Sequence, residues 1–253
     1  MEAMLVYFAC KYEGDYQKIY QALKNKELVD EKLKRRYLEQ LKCKYTTILS
    51  KDYPSLLKEI RYPPFVLFYY GDISLLEKKT IGVIGMRHPS SYGIRSTQSL
   101  VHDLVCNDYV IVSGMAIGID SIAHRSAISN GGKTAAVLGG GIDFGYPKSN
   151  HDIYKTLKKE HCVLSEIPFA KAPVKSDFRI RNRLIAGLSQ QILVCEAKEQ
   201  SGTMITVGYA LDQGKDIFAV PCSIDGYQGT NMLINQGAKL VVKGQDIAEE
   251  LRT

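Results

Sequence analysis

The residues of this chain best suited to chemistry are cations set beside glycine. Arg87 closes Gly85-Met86-Arg87, and Lys148 follows Gly139-Gly140-Gly141 and Tyr146-Pro147. Three arginines, Arg179, Arg181 and Arg183, alternate within Phe178-Arg-Ile-Arg-Asn-Arg-Leu184. The chemistry they suit is anion capture, because a guanidinium takes phosphate bidentately and an ammonium supplies a point charge. Lys148 also precedes a helical pattern beginning at His151, where the helix dipole favours negative charge. The three glycines are expected to adopt positive φ and to bring a ligand close to backbone N–H groups. Ser113-Gly114 and Ser201-Gly202-Thr203 add small hydroxyl and backbone donors, Ser201 as the cap of a helix over Met204–Gln213 that stops at Gly214. His151 is placed to stack on a base.

Other chemistries fail on spacing. The turn Gly85–Gly93 does not spell G-x-G-x-x-G, since Arg87 stands where the second glycine would admit a pyrophosphate. Gly131-Gly132-Lys133-Thr134 imitates a Walker loop, but Ala127 occupies the first glycine position and the segment precedes a strand. Ser113 lacks the glycines of a nucleophile elbow, having Ile111 and Met115 on either side. His88, His102, His124, His151 and His161 show no ligand spacing, and Cys10, Cys43, Cys106, Cys162, Cys195 and Cys222 stand singly, as reduced and mostly buried thiols. No catalytic residue, metal or cofactor is expected.

The elements that must position the cations read as alternating strands and helices. Seven short apolar runs, Ile81–Ile84, Tyr109–Ser113, Ala135–Leu138, Cys162–Leu164, Gln191–Cys195, Asp216–Val220 and Lys239–Val242, are separated by helical patterns. That alternation predicts an α/β fold, a mostly parallel sheet with helices on both faces. Ligands of such sheets lie outside the carboxyl ends of the strands, so the loops at Arg87, Gly114, Gly140 and Gly202 converge on one edge. At ~100° per residue, Arg179 and Arg183 share a helix face with Asn182 nearby, while Arg181 falls in the apolar arc of Ile180, Leu184 and Leu188. A guanidinium there needs a partner, either an internal carboxylate such as Glu166 or Glu196 or an anionic ligand. The reading assigns Arg179 and Arg183 to ligand and Arg181 to structure or both.

Before this unit, residues 1–70 form a smaller one. Leu33, Tyr37, Leu38 and Leu41 recur at helical spacing in a glycine-poor helical module, whose Lys32, Lys34, Arg35 and Arg36 read as a solvated face. Residues 52–71, with paired prolines and an aromatic run, read as an extended connector, which puts the boundary near Tyr70 and the second unit at 71–253. The formal charge of +6 is compatible with a nucleic-acid partner. No apolar run approaches a membrane span and no basic leader opens the chain, so a cytoplasmic protein is expected.

Four long motifs in order carry a resemblance: Ser113–His124, Lys133–Asn150, Ser165–Ser189 and Ser201–Pro221, with a similar lead-in at Tyr53-Pro-Ser-Leu-Leu57. Together, over roughly Ile48 to Leu251, they resemble the DNA-processing protein A family, also called Smf. The resemblance implies an extended Rossmann-like domain that dimerises, with no known catalytic residue. Its function would be to bind and protect incoming single-stranded DNA in bacterial natural transformation and to help load the RecA recombinase. It also implies that Arg87 and Lys148 sit in the DNA pocket; the reading of the loops and helix starts adds Gly85, Met86, Ser113, Gly114, Gly140, His151, Arg179, Arg181, Asn182, Arg183, Ser201, Gly202 and Thr203 as candidates around them. The N-terminal module is shorter than is usual in the family, and the sequence stops just after the sheet domain. An alternative is a nucleotide-binding protein or a phosphoribohydrolase-type N-glycosidase, because Gly202-Thr203 resembles the centre of P-G-G-x-G-T-x-x-E. There the catalytic glutamate would fall on Thr206 and a glycine on Gln200.

Overall fold

The computed structural model describes residues 1–250, so Leu251–Thr253, the end of the expected second unit, lie outside the described residues. Three helices open the chain: α1 (Glu2–Lys11), α2 (Tyr16–Lys24) and α3 (Glu31–Gln40). Asp15 and Asp30 start the latter two, their carboxylates accepting the N–H groups of Lys18 and of Lys32 and Leu33. Helix α1 is buried from Leu5 through Cys10, and a helix apolar on all sides needs cover on all sides. Ile19 and Ala22 of α2 supply part of that cover, and Leu33, Tyr37 and Leu38 of α3 pack half-buried beside them.

A nine-stranded sheet follows, assembled from β1 (Lys44–Thr47), β2 (Val66–Gly71), β3 (Thr80–Ile84), α4 (Ser91–Cys106), β4 (Val110–Ser113), α5 (Ile119–Ser129), β5 (Thr134–Val137), α6 (His151–Glu160), β6 (Cys162–Ser165), α7 (Lys175–Gly187), β7 (Gln191–Val194), α8 (Gly202–Asp212), β8 (Ile217–Ala219), α9 (Gly229–Asn235), β9 (Lys239–Leu240) and α10 (Gly244–Glu250). The order across the sheet is β1-β2-β6-β5-β4-β3-β7-β8-β9. From β6 to β9 all neighbours are parallel, whereas β1 and β2 are antiparallel additions at one side. All seven apolar runs are strands. The segment read as a connector supplies β2, which pairs with β6 through Phe68↔Ser165 to Gly71↔Cys162, so the sheet continues through residue 70.

Strands β3 to β8 are fully buried because helices cover both faces, as near-continuous apolar runs require. Ile84, Val112 and Val137 pack with Leu184 of α7 and Val207 of α8. Ile81, Val83 and Ile111 face the other way, onto Leu100 of α4 and Ala123 of α5. The N-terminal helices cover the β6 end of that second face, where Val6 and Phe8 meet Phe68, Ala136 and Val163.

Candidate nucleic-acid interface

Strand order reverses between β3 and β7, and at that switch point a Rossmann protein holds its pyrophosphate on the N-terminus of the next helix. Here an internal carboxylate occupies the place. Buried Glu196 accepts the Ser90 N–H at 2.8 Å and the Ser90 hydroxyl at 2.6 Å, while Ser90 Oγ takes the Gly93 N–H of α4. A Cβ on Gly93 would meet Glu196 Oε2 at 2.3 Å. The same loop spends its backbone internally, with Met86 N–H on Glu196 O and Met86 O accepting from Ile119 N–H. Gly85 is closed in by Ile119 and by Glu196 O. Gly85 and Met86 therefore shape the loop, and what they leave facing outward is Arg87, which is exposed.

Arg181 ties the neighbouring strand ends together. It is 6% exposed, and its Nη1 donates to Gly114 O after β4 at 2.7 Å and to Val137 O of β5 at 2.5 Å. Its Nε donates to Asn182 Oδ1, and Asn182 in turn donates to Gly202 O at the start of α8. Burial lowers the Arg181 pKa to about 10, against the pull of Asp120 and with the help of Arg87. Burial also raises the pKa of Asp120, which Arg181 opposes. The structural role read for Arg181 is thus what its contacts describe.

Several sequence expectations are corrected by these contacts. None of Gly139, Gly140 and Gly141 has a positive φ. They are small because chain packs on them: a Cβ at Gly140 would meet Lys171 O at 2.8 Å, and one at Gly141 would meet Phe169 O at 2.2 Å. The Gly141 N–H is spent on Lys171 O, and Gly140 O accepts the Ser165 hydroxyl. Ser113 is fully buried and donates to Val83 O, so its hydroxyl holds β4 to β3 and faces no ligand. Ser201 stands at the N-cap of α8, but its hydroxyl donates back to Lys198 O and makes no side-chain cap. Gly202 is exposed and Thr203 buried. Arg183 does not join Arg179 toward a ligand. It is 7% exposed, with Nη2 on Glu166 Oε1 at 2.5 Å, whereas Arg179 is exposed. Helical phase does put them on one face, but α7 changes environment along its length: its first two turns are mostly exposed, and nearly all of Arg181–Gly187 is buried. Of the thiols, Cys10, Cys162 and Cys195 are buried, Cys43 and Cys222 partly so, and Cys106 is exposed.

What the structure brings together is a cationic and aromatic shelf. Phe178, in the first turn of α7, has its ring centroid 5.7 Å from the Arg87 guanidinium, 5.9 Å from that of Arg181 and 6.0 Å from the Tyr146 ring. Tyr146 stacks in turn on Phe144, at 6.5 Å and 15°. Two residues on, past the cis Tyr146–Pro147 bond, Lys148 stands exposed. Asn150 fixes this loop by donating to Met115 O and Ala116 O, and exposed His151 stacks on Tyr154 at 5.9 Å. Neither Arg87 nor Lys148 forms an ion pair among the described residues. Phe178 and Tyr146 were missed by sequence reasoning. The available signal was an aromatic directly beside a cation-rich helix start and another directly before Pro147.

Fold and site together define an open, mostly parallel α/β protein whose dinucleotide loop is closed by a carboxylate and whose strand-end edge is cationic and aromatic. Residues 44–252 match the family model described as DNA recombination-mediator protein A, and the chain belongs to that family. It is 45% identical over 206 residues to the DNA processing protein DprA of Streptococcus pneumoniae, covering 81% of this chain and 73% of that one. To the DprA of Bacillus subtilis it is 44% identical over 207 residues, 81% of this chain and 70% of the other. The X-ray structure of the S. pneumoniae protein superposes with a TM-score of 0.83 at 40% identity, covering 92% of this chain and 80% of that one. A structure of DNA processing protein A from Helicobacter pylori, described for its single-stranded DNA binding mode, superposes at 0.75 with 31% identity, covering 83% and 96%.

Proposed function

We propose that this chain is a single-stranded DNA binding protein that processes DNA in bacterial natural transformation, with the strand lying along the shelf. The observation that carries the reading is the pair Arg87 and Lys148, exposed and without carboxylate partners among the described residues, flanking Phe178 and Tyr146. The cations take successive phosphates and the rings stack bases, which suits a strand whose bases are free to splay. His151 and Arg179 extend the path on either side, and Arg181, Asn182, Gly114, Gly140 and Gly202 hold its floor. No element of the shelf is a recognition helix or ribbon able to enter a duplex groove.

The protein acts by binding, without catalysis or cofactor. Glu196 is committed to α4, and the position matching a phosphoribohydrolase glutamate holds buried Thr206, which weighs against the glycosidase alternative. Protection of incoming DNA and delivery to RecA in the cytoplasm follow from the same reading. A homodimer is supported by the exposed apolar side chains Leu240, in β9, and Val242, just after it, on the last strand of the sheet among the described residues. Among the described residues no helix is long and apolar enough to cross a membrane. The test is titration of a fluorescent oligothymidylate against a duplex of equal length at equal salt. The single strand is expected to bind more tightly, and equal affinity would refute the reading.

A further inference from the structure

Helix α6 sorts its charges by sign. At ~100° per residue, Lys155, Lys158 and Lys159 share an arc of about 100° with His151, and Asp152 and Glu160 fall outside it. Contacts fix which way the two sides turn. Asp152 faces α5, where Arg125 takes both of its oxygens, and half-buried Lys158 faces β2, with Nζ 3.5 Å from the Tyr70 ring centroid. Lys155 and Lys159 lie between these two directions, exposed, and neither makes a hydrogen bond or an ion pair among the described residues. Like charges at i, i+4 repel, so the pair does nothing for the helix itself. The helix dipole accounts for cations in the last turn, Lys158 and Lys159, but gives nothing to Lys155 in the middle. What this face lacks is an anion, and the chain supplies none.

We propose that a longer single strand leaves the shelf over the start of α6 and continues along this face, its phosphates held by Lys155 and Lys159. The proposal rests on the single-strand reading and adds to it the course the strand takes beyond Lys148. Continuity carries it. The face begins at His151, three residues after Lys148, and Asn150 between them anchors the turn on Met115 O and Ala116 O. From His151 to Lys159 the helix rises about 12 Å, and Lys155 and Lys159 stand about 6 Å apart along its axis. That length spans about three phosphates at the ~3.4 Å charge spacing of a stacked strand. The opposite flank of the shelf is of mixed sign: Lys198, 5.1 Å from the Tyr227 ring, is followed directly by exposed Glu199, and exposed Asp225 stands two residues before Tyr227. Only on the α6 side does one sign continue outward from the shelf.

Oligothymidylates of increasing length test it, titrated at several salt concentrations against wild type and the double variant Lys155→Gln, Lys159→Gln. The shortest strands whose binding is weakened by both Arg87→Ala and Lys148→Ala should bind the double variant as tightly as wild type. Longer strands should bind it about 25-fold more weakly at 0.1 M salt, roughly fivefold per lysine, the factor a slope of about 0.7 per phosphate contact gives between 1 M and 0.1 M. For those strands the slope of log affinity against log salt should flatten by about 1.4. Thermal unfolding should match wild type, because both side chains are exposed. Equal losses at every length would show that the lysines act only through the general field of the protein, and no loss at any length would show that the strand takes another course; either result overturns the path. Wild-type binding that needs Arg87 and Lys148 but not these lysines overturns the path alone and leaves the single-strand reading standing. A wild type that binds no strand of any length defeats both.

Discussion

Replacing Glu166 by Gln removes one charge from a buried pair at nearly constant volume. The Arg183–Glu166 contact is 2.5 Å between side chains 9% and 10% exposed, and burial raises the Glu166 pKa while Arg183 opposes the rise. The variant leaves a guanidinium out of water with no anion beside it, a change that costs about 3–5 kcal/mol in buried pairs. For a chain near this length each kcal/mol moves Tm by about 2–4 °C, so the expected loss is roughly 6–20 °C. The double variant Arg183→Met, Glu166→Met removes both charges and should return to within about 1 kcal/mol of wild type, because the pair's mutual attraction is largely offset by its desolvation. Urea unfolding of wild type, Arg183→Met, Glu166→Met and the double closes the cycle, with a common m-value required for comparison. A Glu166→Gln loss below about 1 kcal/mol, or a double variant as unstable as the sum of its singles, would refute the description of this pair as buried and coupled.

Three further outcomes follow from single contacts. His124 is fully buried, and the Thr134 hydroxyl it contacts at 2.7 Å already donates to Ile111 O, so His124 Nδ1 is the donor and Nε2 has no partner among the described residues. Burial, with His161 and Arg181, pushes its pKa down to about 3. The unfolded chain therefore takes up the proton first, and stability present above about pH 6.5 falls by about 1.4 kcal/mol per unit as pH drops toward 3. His124→Gln should flatten that fall by about 2–3 kcal/mol between roughly pH 6.5 and 4.5, measured as ΔG against wild type at each pH; parallel curves would contradict it. Gly118 has φ +83°, and a Cβ there would lie 2.4 Å from Met86 O and 2.5 Å from Arg87 O. Gly118→Ala should cost about 1–3 kcal/mol of stability and weaken DNA binding by displacing Arg87, checked by unfolding and titration together, and unchanged binding would place the strand elsewhere. Phe178→Ala should cost about 1–3 kcal/mol of oligonucleotide affinity while leaving the salt dependence unaltered, since it removes stacking and no charge.

The seven strands of the parallel unit were legible because buried parallel strands need continuous apolar runs, and glycine-rich turns bracket most of them. Strands β1 and β2 were not, because antiparallel strands at the side of a sheet carry a mixed text, here Lys44-Tyr-Thr-Thr47 and an aromatic run after Pro63-Pro64. Arg181 was legible as a buried guanidinium from its place in the apolar arc. Arg183 was not, since its burial depends on where α7 passes beneath Glu166, a contact helical phase does not specify. The triple glycine reads as a ligand loop, but Gly140 and Gly141 admit the 169–173 backbone, which is invisible until the fold brings it there.

The central claim is that Arg87 and Lys148 hold phosphates of one single strand at the carboxyl edge of the sheet. The most direct measurement is the dependence of oligothymidylate affinity on salt for wild type, Arg87→Ala and Lys148→Ala. Each phosphate contact on single-stranded nucleic acid contributes about −0.7 to the slope of log affinity against log salt. Both single variants should lose affinity for all sequences alike and flatten the slope by about 0.7, and the double variant should lose most binding. Thermal unfolding should stay near wild type, since both side chains are exposed. Unchanged slopes in both single variants would show that the DNA does not lie on this edge.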